Sequence, residues 1–334
     1  MVEQKPVVQL LTTGGTISAG WQESGGYSPV KGGAEMVRNL PVGAVADVRA
    51  EEFARALSFS VGYEMVDRLV RRVSELDSDP TVSGGVVTHG TAVMEEVAYL
   101  CDLTSTAEKP VVFTGASYHA SDPGTDGPHN ILDAVRVAAA PESRGRGTMI
   151  CFASEIHAAR DAMKLHKYSP VAFVSANGPL GVVDVGGITY YRQPTGRIHV
   201  PFPPLPVPQV EVIKAVLDMN DLLIKAAVDA PVAGIVVEGF PGSGGVPSIL
   251  LGPIGDALDR GIPVVLASRA PFGRITPTAR GESGPRVLEG MGVIMGGDLP
   301  SHKARLLLAV ALASDRGMER LRATFEAVSR GGVL

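Results

Sequence analysis

Val7-Val8-Gln9-Leu10-Leu11-Thr12-Thr13-Gly14-Gly15-Thr16-Ile17 is an apolar run that stops on a threonine-glycine-glycine-threonine turn. A strand ending this way puts a hydroxyl at the carboxyl edge of a sheet, where open α/β folds bind their ligands. Val86-Val87-Thr88-His89-Gly90-Thr91 repeats the arrangement. Further apolar runs at 111–114 and 148–152 alternate with helix-like stretches at 64–76, 92–104, 130–139 and 155–167. Short, almost wholly apolar strands separated by helices predict a parallel sheet covered on both faces, a doubly wound α/β layout. In the first helix Met65, Leu69, Val73 and Leu76 recur at helical spacing, which is core packing and carries no functional message.

Five prolines between Pro201 and Pro208 favour extended polyproline geometry and exclude a helix or a central strand. They divide the chain into a larger N-terminal domain at 1–200, a Pro-rich linker at 201–212 and a smaller C-terminal α/β domain at 213–334. Strands at 233–237 and 263–267 and helices at 248–259 and 301–313 belong to the last. The length of 334 residues agrees with two domains, and 45% hydrophobic residues suffice for a substantial core.

A net charge of −5 and the lack of long basic runs exclude the electrostatic footprint of a nucleic-acid binder. No apolar stretch reaches the roughly 20 residues needed to span a bilayer. Cys101 and Cys151 cannot build a disulfide framework and read as buried thiols. With no signal-type apolar run in Met1 to Pro6, a cytoplasmic location is expected. Histidines are scattered, and neither His-Glu-x-x-His, paired-cysteine nor Gly-x-Ser-x-Gly patterns occur, so no metal and no cofactor are expected. His89 reads as a hydrogen-bonder beneath its turn, and His119, His157 and His166 carry no assigned role. Gly14, Gly15 and Gly20 fit neither the dinucleotide fingerprint nor the P-loop spacing, which disfavours a nucleotide-binding module.

Thr13 is the candidate nucleophile. A threonine hydroxyl is weak at its own pKa and needs a neighbouring base and donors aimed at the developing oxyanion. Two glycines after it permit tight backbone and close substrate approach. Lys164 is a candidate desolvated lysine of lowered pKa that relays a proton near Thr91. Tyr27, within Ser24-Gly25-Gly26-Tyr27-Ser28, offers a phenol on a glycine-rich loop to exchange a proton with Thr13. Backbone amides around Gly14, Gly90 and Thr91 are the candidate oxyanion donors.

With these motifs the chain resembles the bacterial-type L-asparaginases, two-domain amidohydrolases with a threonine nucleophile. The likeness rests on Thr12 to Ile17, on Thr88 to Thr91 followed by Met94-Glu95-Glu96, and on Thr125-Asp126-Gly127-Pro128 with Asn130 and Leu132 to Arg136. Glu155 to Asp161 leading to Lys164, and Asn177-Gly178-Pro179-Leu180-Gly181, complete it. The resemblance implies Thr13 as primary nucleophile, assisted by Tyr27 on a lid and by a carboxylate for which Glu282 is the candidate. It implies Thr91 and Lys164 as members of a second triad, and Ser58 as binder of a substrate carboxylate, with Ser60 as the fallback. It also implies a homo-oligomer, a tetramer or at least a dimer, whose sites are completed by the partner's 242–247 loop and Glu282.

Two positions depart from the family pattern. Ala92 stands where the family has an aspartate that grips the substrate's α-ammonium, and Gly245 stands where it has an asparagine reaching toward the same group. A small-molecule amide without a free α-amine is therefore the expected substrate, since an ammonium facing Ala92 and Val93 would go unpaired. Turnover of asparagine despite Ala92, and a catalytically impaired asparaginase-like binding protein, are the alternatives. An introduced substitution at 92 would leave Gly245 unexplained.

Overall fold

The computed structural model describes residues 5–279, 281–314 and 317–330. Met1 to Gln4, part of the segment read for a targeting signal, lie outside the described residues. The chain forms two compact units, Met1–Pro194 and Thr195–Leu334.

In the first unit the strand Val7–Gly14 is buried along its whole length, as a nearly continuous apolar run requires. It lies between Asp47–Ala56 and Gly84–Thr88 and is parallel to both. Val111–Thr114 and Thr148–Phe152 extend the parallel set. Alternate residues face opposite sides of the sheet. Leu10, Val86, Val112, Met149 and Cys151 thus meet Ile131, Ala134, Val135 and Ala138 of the helix Gly127–Ala139 in one core layer. Helices Tyr63–Ser78 and Met94–Thr104 also pack on the sheet and bury Leu69, Val73, Val97 and Leu100.

Two expectations are corrected here. The sheet is mixed: beyond Thr148–Phe152 come Glu155–Ala158, Gly181–Asp184 and Gly187–Tyr190, each antiparallel to its neighbour. The helix expected at 155–167 is absent, and its residues form the strands Glu155–Ala158 and Ala162–Lys164. Ala153 and Ser154 both adopt positive φ, 50° and 64°, which reverses the chain in two residues and lays Glu155 against Phe152. Asn130 Oδ1 accepts the Ala153 N–H at 3.1 Å, and the Ser154 hydroxyl donates to Asp133 at 2.8 Å, so long-range partners hold the turn. Neither alanine nor serine announces such a turn, and tertiary pairing overrides the helical propensity of the stretch.

The second unit holds a four-stranded parallel sheet in the order Val210–Lys214, Gly234–Gly239, Val264–Ser268, Ile294–Met295. Helices Leu222–Asp229, Leu251–Asp259, Pro285–Met291, Ser301–Ser314 and Met318–Arg330 accompany it. Its first strand begins at Val210, inside the 201–212 stretch marked by the prolines. Among the described residues no helix is long and apolar enough to cross a membrane. Cys101 and Cys151 are free and buried, and burial raises both thiols above their ordinary range.

Candidate active site

The turn after Val7–Gly14 is built on close backbone contact. Gly14 and Gly15 sit at φ 104° and 81°. A Cβ on Gly14 would stand 2.4 Å from the Ala56 carbonyl oxygen, and one on Gly15 would stand 2.4 Å from Gly90 Cα. Only glycine permits this, and the first threonine turn is thereby seated directly against the second. A Cβ on Gly90 would in turn meet Ser58 Oγ at 2.6 Å. Ser58 Oγ accepts the N–H of Ala92 at 3.3 Å. Ser58 therefore does not cap the following helix, whose N-cap is Gly62. Gly15, Ser58, Gly90 and Ala92 form one cluster at the strand ends, whereas Ser60 is exposed.

Thr13 is buried, 2% exposed, and its hydroxyl donates to the Thr88 carbonyl at 2.9 Å. Thr91, three residues on from that carbonyl, accepts a hydrogen bond from Lys164 Nζ at 2.6 Å. Lys164 reaches it from the strand Ala162–Lys164, which pairs with Phe173–Ser175. Glu95, in the first turn of Met94–Thr104, accepts the Lys164 backbone N–H at 2.7 Å. Burial holds the Lys164 amine below its ordinary range, opposed by the nearby Glu95 carboxylate.

Tyr27 is not turned to Thr13. Its hydroxyl donates to Asp122 at 3.3 Å and its ring stacks in parallel on His119, with centroids 3.3 Å apart. Partial desolvation and the Asp122 carboxylate raise the phenol above its usual value. His89 is 1% exposed and places Nδ1 2.8 Å from the Gly90 oxygen. Burial pushes this imidazole down to about 4, against the raising effect of the Gly90 hydrogen bond.

Glu282 belongs to the second unit and is exposed, on a turn at 281–284. Next to it, Ser283 accepts the Val246 N–H at 3.2 Å, which ties this turn to the 242–247 loop and to Gly245. Ala92 is exposed. Among the described residues no group of three or more histidines, cysteines, aspartates or glutamates is placed to hold a metal ion.

Sequence reasoning missed the contacts of Glu95 and Asp122. Glu95 was visible only as part of the Met94-Glu95-Glu96 motif, and its service to Lys164 depends on a strand pairing 69 residues away. The Asp122 contact to Tyr27 carries no local signal, because the two residues lie 95 apart in the chain.

Comparison with known proteins gives this geometry a context. The family description "Asparaginase, N-terminal" matches residues 7–196, and "Glutaminase/Asparaginase C-terminal domain" matches residues 209–325. An L-asparaginase from Bacillus licheniformis is 35% identical over 92% of this chain and 95% of its own length. L-asparaginase 2 from Escherichia coli is 33% identical over 96% of this chain and 92% of its own. The crystal structure of a probable cytoplasmic L-asparaginase from Campylobacter jejuni superposes with a TM-score of 0.85 at 27% identity, covering 96% of this chain and 99% of that one. Matched across both of its units, the chain belongs to the asparaginase family and is a hydrolase of amide C–N bonds.

Proposed function

We propose that this protein hydrolyses a small carboxamide lacking a free α-amino group, through an acyl-Thr13 intermediate. The observation that carries the proposal is the pair of threonine hydroxyls on adjacent strand ends, one of them 2.6 Å from a lysine nitrogen. Thr13 Oγ attacks the carboxamide carbon, and its proton leaves by way of Tyr27 once that phenol turns away from Asp122. The nitrogen of the tetrahedral intermediate takes up that proton, so ammonia is expelled and the acyl ester stays on Thr13. Water, deprotonated through Thr91 and neutral Lys164, then attacks the ester, the acid is released, and the proton returns to Thr13 Oγ. Gly14, Gly90 and Thr91 supply backbone donors, Ser58 takes a substrate carboxylate, and Glu282 is the carboxylate partner contributed within a homotetramer or at least a dimer. We place the enzyme in the cytoplasm, as its Campylobacter neighbour is named.

Substrate choice follows from Ala92 and Gly245, which offer an α-ammonium neither charge nor amide oxygen. Leaving that group unpaired penalises asparagine more than its desamino analogue. A steady-state comparison of ammonia release from L-asparagine, succinamic acid and simple aliphatic amides tests this, with succinamic acid expected ahead of asparagine in kcat/KM. A clear preference for asparagine would establish the other reading, an L-asparaginase that works despite Ala92.

The pH profile gives a second check. Only the neutral amine of Lys164 accepts a proton, so the rate rises with pH as Lys164 deprotonates. In E95Q the carboxylate charge that raises this pKa is gone, while an amide oxygen still accepts the Lys164 N–H. The ascending limb of log kcat against pH is expected to move to lower pH. A limb that moved upward or stayed in place would contradict the assignment of Lys164 as the base.

A further inference from the structure

We propose that His89 is a positioning residue that turns the Gly90–Thr91 peptide so that the Thr91 N–H faces the reacting carbonyl as an oxyanion donor; the inference rests on the acyl-threonine reading above. A carbonyl oxygen can only accept, so Nδ1, 2.8 Å from Gly90 O, carries the proton of the neutral ring. Nε2 is then bare, and it lies buried without a hydrogen-bond partner. The cis peptide among the described residues is Leu205–Pro206, so the Gly90–Thr91 bond is trans. In a planar trans peptide the C=O and N–H point in opposite directions. With the Gly90 oxygen drawn to the buried imidazole, the Thr91 N–H is aimed away from it. Among the described residues no acceptor takes that N–H, although Ala92 N–H next to it is held by Ser58.

The peptide is also clamped. A Cβ on Gly90 would stand 2.6 Å from Ser58 Oγ and 3.2 Å from Gly15 Cα, so the backbone has no room to swing on that side. His89 holds its carbonyl. A donor fixed before the substrate arrives needs no reorganisation as charge develops on the carbonyl oxygen, which is the condition for strong stabilisation of an oxyanion. An imidazole that leaves one nitrogen buried and unpartnered is a costly way to fill the core, and the carbonyl held by the other nitrogen supplies its role.

The test compares H89F, which keeps an aromatic ring beside Phe113 and lacks the donor, with H89N, whose amide nitrogen stands close to the position of Nδ1. The probe is whichever of L-asparagine and succinamic acid the wild type turns over faster. H89F is expected to lower kcat by about 10- to 100-fold with KM within about threefold of wild type, and H89N to restore most of the loss. Wild-type kcat in folded H89F, or equal loss in both variants, overturns the proposal. Long-range ¹H–¹⁵N NMR of the wild-type imidazole needs no variant to fold. A neutral Nδ1–H tautomer supports the proposal and an Nε2–H tautomer overturns it. Quenched-turnover mass spectrometry of the wild type separates the two readings: lack of acyl-Thr13 there would sink the mechanism itself, whereas acyl-Thr13 with unimpaired H89F would sink only the role of His89.

Discussion

Removing one hydroxyl, in T13A, is expected to lower ammonia release by about 10⁴-fold or more, because the variant has no atom to carry the acyl group. The groups around it survive the change. Thr91 keeps Lys164, and Ser58 keeps the Ala92 N–H, so binding and backbone donors leave a residue of activity above the solution reaction. The folded state loses the 2.9 Å bond from Thr13 to the Thr88 carbonyl, a contribution of about 1 kcal/mol, too little to unfold a unit of this size. T13S retains an oxygen at the same place and is expected to keep partial turnover. Rapid quenching followed by peptide mass spectrometry should find the acyl mass on the peptide bearing residue 13 in wild type and nowhere in T13A. Undiminished turnover in T13A would defeat the nucleophile assignment.

The double variant A92D/G245N is expected to raise the ratio of kcat/KM for L-asparagine over that for succinamic acid by about 10²-fold. Each restored contact to an ammonium is a charge-assisted hydrogen bond worth about 1.5–3 kcal/mol, and the lower end for two of them corresponds to two factors of ten. Both side chains can be accommodated. Ala92 is exposed, and an aspartate there precedes the helix Met94–Thr104, where negative charge suits the helix dipole. At Gly245 the nearest atom to a new Cβ is the Ser283 oxygen at 3.7 Å, an ordinary contact. Parallel measurement of both substrates by ammonia release reads the ratio directly. An unchanged ratio in a folded A92D/G245N protein would show that substrate choice does not reside at these two positions.

Much of the fold was legible along the chain. The runs before Thr13 and Thr91 are nearly all apolar because the strands are buried on both faces, and this pattern survives in a single sequence. The glycines at 14, 15 and 90 were legible for a related reason, since a positive φ or a Cβ contact at 2.4–2.6 Å admits no other residue. The segment at 155–167 failed because its strands are made by partners elsewhere: Asn130 and Asp133 hold the turn, and Thr148–Phe152 supplies the ladder. The same reversal decides how Lys164 arrives at Thr91, on a strand end 73 residues from it in the chain.

Residue type and near spacing alone gave the strand-and-turn elements, the two threonines on their glycine turns and the lack of a polar side chain at 92 and 245. Packing in three dimensions settles the rest: Thr13 points its proton at Thr88, Lys164 rather than solvent meets Thr91, and Tyr27 rests on Asp122 and His119. Hydrogen bonds of this kind join groups tens of residues apart, and which of several polar side chains pairs with which is settled by the packing that brings their strands and loops together.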